Sequence, residues 1–90
     1  MGIIMTEHAR FEMNRRHISE ELVKTVIANP GQCKLTKKGR VVLQSKYKNN
    51  TEQKEMLLRV IGKEISGNFI VITAYKTSKI EKYWKEEIVK

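Results

Sequence analysis

Three side chains in the C-terminal half of this 90-residue chain could handle a phosphodiester: Arg59, Thr73 and Tyr75. Residues 56–65 and 69–77 read as strands that share a tight turn at Ser66-Gly67-Asn68. In the second strand, alternation puts Ile70, Ile72 and Ala74 on one face and Val71, Thr73, Tyr75 and Thr77 on the other. In the first, Leu57, Arg59 and Ile61 share a side. If Ser66, Gly67 and Asn68 form a three-residue loop, Ile65 faces Phe69, Arg59 faces Tyr75 and Ile61 faces Thr73. A two-residue loop shifts the pairing by one and sends Arg59 among core aliphatics, which is costly. The three-residue register is therefore expected, with an Arg, a Thr and a Tyr on one polar surface.

Such a set suits a substrate that brings its own nucleophile. RNA does, because a 2′-hydroxyl sits beside every phosphate, so cleavage needs neither a metal nor a covalent enzyme intermediate. It needs a base near that hydroxyl, an acid near the leaving 5′-oxygen and cations on the phosphate. Arg59 could grip the phosphate, Thr73 could donate a hydrogen bond, and Tyr75 could act as acid or orienter. His8 could be base or acid, since an imidazole changes charge close to neutral pH. Plainer readings stand beside these: His8 as a surface group, Arg59 paired with Glu64 or Glu81, Tyr75 simply packed. Spacing alone does not bring His8 or Arg16 to the strand surface.

Composition narrows the alternatives. Eighteen Lys and Arg against ten acids give a net charge of +8, and every acid is Glu. Without Asp, and with no recognisable Glu spacing, a carboxylate-held divalent-metal nuclease is disfavoured. One cysteine, Cys33, excludes an internal disulfide or a CxxC zinc or redox site, and only His8 and His17 supply imidazole. No metal and no cofactor is expected. Between residues 34 and 48 lie Lys34, Lys37, Lys38, Arg40, Lys46 and Lys48 and no acid. The simplest partner for that patch is a polyphosphate backbone; the alternatives are an acidic protein or lysines that merely protect a sheet edge. No apolar run approaches the length of a membrane span, and no secretory signal is recognisable, so a cytoplasmic location is expected. Gly2 and Thr6 match the myristoylation pattern formally, but Ile3 and Ile4 are read as core residues.

The elements follow from a change of hydrophobic period along one domain, residues 1–90. A first helix is expected over 6–16, capped by Thr6, with Met5, Ala9 and Met13 as its buried stripe. A second opens at Ser19, with Ile18 and Val23 as a hydrophobic staple, and closes at Asn29-Pro30-Gly31 with Asn29 in the left-handed cap position. A weak edge strand at 33–36, a turn at 37–39, a strand at 40–47 and a polar loop at 48–54 precede the informative hairpin. A last helix begins at Ser78 through a Ser78/Glu81 capping box and docks by Ile80, Trp84 and Ile88. The class is α+β: an N-terminal helical hairpin, a three- to four-stranded antiparallel sheet and a C-terminal helix.

The sequence resembles the domain-of-unknown-function family four-two-five-eight, grouped with the RelE/ParE-like toxins and the wider barnase–EndoU–colicin–RelE fold. The matching features are His8-Ala9-Arg10, Arg15-Arg16-His17-Ile18, Ser19-Glu20-Glu21-Leu22-Val23, Leu58-Arg59-Val60, Ile72-Thr73-Ala74-Tyr75 and Lys82-Tyr83-Trp84. The resemblance implies a RelE-like domain of toxin–antitoxin type. Its candidate catalytic residues are His8, Arg16, Arg59, Thr73 and Tyr75, and its implied activity is metal-independent RNA cleavage. The implied partners are RNA or the ribosome, with an acidic antitoxin-type protein beside them; a catalytically inert binding module is the alternative. Where the family often carries Arg-Gly this chain has Arg16-His17, which leaves His17 either functional or a turn residue. Superfamily members diverge in activity, so the fold alone does not decide the function.

Overall fold

The computed structural model describes residues 2–36, 38–49 and 53–84. In chain order it contains β1 (Ile3–Met5), α1 (Glu7–Arg15), α2 (Glu20–Ala28), β2 (Gln32–Leu35), β3 (Val41–Asn49), β4 (Lys54–Ile65), β5 (Asn68–Thr77) and α3 (Ile80–Tyr83). The strands form one sheet in the order β1-β5-β4-β3-β2, which makes the protein α+β. β1 runs parallel to β5 and every other pairing is antiparallel. The sheet is thus five-stranded and mixed, where three or four antiparallel strands were expected. The difference arises at the N-terminus: Met5 belongs to β1, opposite Val71, and not to the stripe of the first helix. Ile3 and Met5 lean on the core, whereas Ile4 points to the other face and is half exposed.

Both long helices begin as their capping residues dictate. The Thr6 hydroxyl accepts from the Ala9 N–H at 3.0 Å, and the Ser19 hydroxyl accepts from the Leu22 N–H at 3.1 Å. α1 lies over β5 and α2 over β3 and β4. Between helices and sheet sits the main core, built from Ala9, Met13, Ile18, Val23, Val26, Ile27, Leu43, Leu58, Val60, Phe69, Val71 and Ala74. The opposite face of the sheet carries no long helix.

The link between α1 and α2 settles the position of His17. Its φ is +57°, its N–H donates to the Asn14 carbonyl, and the next N–H, of Ile18, donates to the Met13 carbonyl at 2.8 Å. That is a Schellman closure, with Ile18 and Met13 in apolar contact as the motif requires. His17 is exposed and fills the site that glycine usually takes. Asn29, by contrast, has φ −147° and is not left-handed.

The β4–β5 hairpin departs from expectation in its turn and agrees with it at the candidate site. Ile65 pairs with Asn68, so the loop has two residues, Ser66 and Gly67, with φ +50° and +82°. Both positive angles match the type I′ turn that a twisted hairpin favours. The pairing then shifts at Ile61/Gly62: Gly62 faces Val71, while Ile61 faces Thr73 and Arg59 faces Tyr75. A β-bulge around Ile72 supplies the extra residue that a three-residue loop was expected to supply. It also reverses part of the expected alternation, since Val71 and Ala74 are both core residues and Thr73 and Tyr75 lie on the opposite face.

At the C-terminus, α3 is a single turn. The Thr77 hydroxyl accepts from the Lys79 N–H at 3.0 Å, in place of a Ser78/Glu81 capping box, and Trp84 is already extended. Lys37 and Ile88 lie outside the described residues.

Two substitutions test these backbone assignments. A Cβ at Gly62 would sit 2.7 and 2.8 Å from ring carbons of Phe69 and against the Ile70 carbonyl. Gly62→Ala is therefore expected to cost about 1–3 kcal/mol in urea unfolding; a neutral effect would contradict the bulge geometry. His17→Gly is expected to leave stability unchanged or raise it by up to about 1 kcal/mol, while His17→Val lowers it, because only the second strains the left-handed position.

Candidate functional site

The helix-free face carries one polar row that crosses four strands. Gln32 pairs with Gln44, Gln44 with Arg59, and Arg59 with Tyr75, so alternation puts all four side chains on the same side of the sheet. The row is continuously hydrogen-bonded. Arg59 Nε donates to Gln44 Oε1 at 2.9 Å, Arg59 Nη1 donates to the Tyr75 hydroxyl, and Gln44 Nε2 donates to Gln32 Oε1 at 2.7 Å and to the Tyr83 carbonyl at 3.1 Å. Gln44 is fully buried, which is tolerable because its amide nitrogen and oxygen are both engaged.

α3 folds back over this row. The Tyr83 ring lies 4.1 Å from the Arg59 guanidinium carbon and meets the Tyr75 ring edge-on at 6.2 Å between centroids. Arg59 is thus held by an amide, a phenol and an aromatic face. The ion pairs Arg10–Glu20, Arg15–Glu12 and Arg16–Glu12 leave Arg59 out, and among the described residues no carboxylate neutralises it, neither Glu64 nor Glu81. A half-buried guanidinium with no carboxylate partner among the described residues, and with N–H donors beyond those bonds, can receive an anion.

The two phenols differ. The Tyr83 phenol is held below its ordinary range, first by a hydrogen bond from Tyr75 and then, against desolvation, by the Lys82 ammonium and the Arg59 charge. The two rings meet edge-on, and the Tyr75 oxygen accepts from Arg59. A phenol eased toward its anion beside a bound phosphate can accept a proton.

The expected site residues separate into two groups. Arg59 and Tyr75 meet directly; Thr73 lies on the same face, half-buried, two residues or about 7 Å along β5 from Tyr75. His8 lies in α1 and Arg16 caps its C-terminus, both on the helix side. His8 is exposed. Arg16 is clamped by the Glu12 carboxylate at 3.1 Å and donates to the Ala74 carbonyl at 3.0 Å. It therefore holds β5 one residue before Tyr75. The Glu12 carboxyl is kept below the usual carboxylate range, chiefly by its hydrogen bond from Arg15.

The basic residues also divide. Lys34, Lys46 and Lys48 lie on the helix-free face, and the Lys46 ammonium sits 4.5 Å above the Trp84 ring. Lys38 and Arg40 are exposed in the β2–β3 connection, and Lys37 lies outside the described residues. Sequence reading missed Gln32, Gln44 and Tyr83 as members of the site. The period-2 alternation from Arg59 across β3 could have found Gln44; nothing local marked Tyr83. Among the described residues, no group of three or more His, Cys, Asp or Glu is arranged to hold a metal. No helix is long and apolar enough to cross a membrane.

A family model described as a domain of unknown function, DUF4258, matches residues 5–76. The match includes Arg59, Thr73 and Tyr75 and stops short of Tyr83 and Trp84. No curated protein and no solved structure matches the chain.

The influence of the Tyr75 hydroxyl on Tyr83 has a direct spectroscopic test. Removing the hydroxyl in Tyr75→Phe takes away the largest downward influence, so the Tyr83 pKa must rise toward the ordinary value of about 10. Ultraviolet tyrosinate titration should show the earliest-titrating phenol move upward; an unmoved first transition would contradict the pairing.

Proposed function

Since the chain belongs to the DUF4258 family, a family without an assigned activity, we propose from its surface chemistry that it is a cytoplasmic, toxin-like RNA-interacting protein that cleaves RNA without a metal. What carries this reading is the half-buried Arg59 guanidinium, bound to Tyr75, stacked under Tyr83 and lacking a carboxylate partner among the described residues. The RelE/ParE-like grouping, with α1 and α2 as a helical hairpin beside the sheet, belongs to the proposal. Supporting it is the concentration of cations on the helix-free face, where Lys34, Lys46 and Lys48 extend the positive field around Arg59.

In the proposed reaction Arg59 holds the non-bridging oxygens of the scissile phosphate. Tyr83 takes the proton from the 2′-hydroxyl, whose oxygen then bonds to phosphorus. The bond from phosphorus to the 5′-oxygen breaks, and Tyr75 returns a proton to that oxygen. The products are a 2′,3′-cyclic phosphate and a 5′-hydroxyl. Thr73 lines the same face as a hydrogen-bond donor. Arg16 acts through the β5 backbone, and His8, far along α1 from that contact, is not needed for either proton transfer. An inert module that binds RNA, the ribosome or an acidic antitoxin-type partner is the second reading. It is favoured by one observation, the exposed position of His8 on α1, on the helix side of the sheet and away from the polar row.

Purified protein with RNA in EDTA should yield fragments ending in 2′,3′-cyclic phosphate. Arg59→Ala is expected to lower the rate by about 10²-fold or more, and Tyr83→Phe by about 10²–10⁴-fold. His8→Ala should leave it nearly unchanged. Because the base must be deprotonated, kcat/KM should rise with pH and level off below the ordinary phenol range, with that limb displaced in Tyr83→Phe. Intact RNA and intact translating ribosomes would overturn the proposal; salt-sensitive binding without turnover would favour the inert module.

A further inference from the structure

Beyond the Arg59 row, the helix-free face opens into a groove of about 820 Å³ between β3, β4 and the α3 segment. Its aromatic wall is Trp84, immediately after Tyr83. Lys46, Lys79 and Lys82 supply cations, and Glu55 and Glu81 supply the carboxylates.

One edge of the indole rests on Gly31, where an added Cβ would meet its ring carbons at 2.8 and 3.3 Å. Gly31 thus lets the indole edge approach the backbone near Gln44. The Lys46 ammonium, on an exposed side chain, sits 4.5 Å from the ring centroid. Lysines beside an aromatic platform are the pattern by which single-stranded nucleic acid is held, with bases stacked and phosphates tracked by charge. Stacking a base on tryptophan outweighs an exposed cation–π contact. The incoming base displaces Lys46, which is then free for a neighbouring phosphate. Glu55 and Glu81 keep phosphates off their part of the wall, so the groove receives the base and not the backbone.

We propose that this groove is a nucleobase-stacking subsite for single-stranded nucleic acid, with Trp84 as its platform, adjoining the Arg59 row. It rests on the preceding reading for its RNA, and it makes Trp84 a determinant of substrate binding with no part in proton transfer. It also requires the substrate to be unpaired there, since a base in a duplex cannot reach an aromatic ring in a groove.

Trp84 is the one tryptophan in the chain, so its emission reports on this groove alone. The test uses the full chain and a single-stranded 2′-deoxy decamer of mixed sequence, which lacks the nucleophile and cannot be cleaved. Saturable quenching of Trp84 emission is expected, weakening as salt rises, while the same decamer in a duplex quenches little. In cleavage of RNA, Trp84→Ala should raise KM about tenfold with kcat little changed, and Trp84→Phe should recover most of the loss. Binding of the decamer, seen by anisotropy, without any change in Trp84 emission would overturn the subsite. So would equal affinity of wild type and a folded Trp84→Ala. Quenching without cleavage of RNA would uphold the subsite while removing the proposed catalysis, so the two ideas fail separately.

Discussion

A single cation organises the helix-free face of this protein. Arg59 is half-buried in the middle of a sheet, where an isolated charge is costly. Among the described residues its neighbours offset that cost without an acid: an amide oxygen on one side, a phenol oxygen on the other and an aromatic ring above. Each neighbour is neutral, so the positive charge is stabilised but not cancelled. Had Glu64 or Glu81 reached it, the site would be an internal ion pair with little left to offer an anion. The same contacts fix the guanidinium plane, so a phosphate would meet an already oriented donor set.

That arrangement depends on backbone details several residues away. Arg59 faces Tyr75 only because a bulge absorbs Ile72 of β5 opposite the Ile61/Gly62 step, after a two-residue turn has set the opposite parity. Gly62 permits the bulge, since Phe69 and the Ile70 carbonyl occupy the space a side chain would need. Arg16 then fastens β5 at Ala74, and Glu12 fastens Arg16. Local geometry, core packing and the polar row are therefore coupled: without the bulge, the alternation of β5 would turn Tyr75 into the core.

Much of this was legible in the sequence. Capping residues Thr6 and Ser19 announced both helices because their side chains bond the first-turn N–H groups wherever they stand. The Arg59–Tyr75 pairing was also legible, though by a wrong route: a charged residue excludes the register that would bury it, whatever turn produces the surviving one. The bulge itself was not legible, because an extra residue in a strand has no local signature beyond Gly62, and glycine has many uses. β1 was missed because three apolar residues can read equally well as the start of a helix. Only family resemblance brought His8 near the strands, and the structure leaves it exposed on α1, on the helix side. Tyr83 was overlooked as a site residue because its role depends on α3 ending after one turn, which capping patterns did not forecast.

The central claim is that Arg59 is an anion-binding donor and not merely a tie within the sheet. The most direct measurement is the ¹⁵N–¹H signal of the Arg59 Nε–H during titration with a non-cleavable 2′-deoxy dinucleotide. The account expects a saturable shift of that signal, reversed by added salt and matched in affinity to the Tyr75 and Tyr83 ring resonances. A dinucleotide that binds the protein while the Arg59 signal stays in place would contradict it.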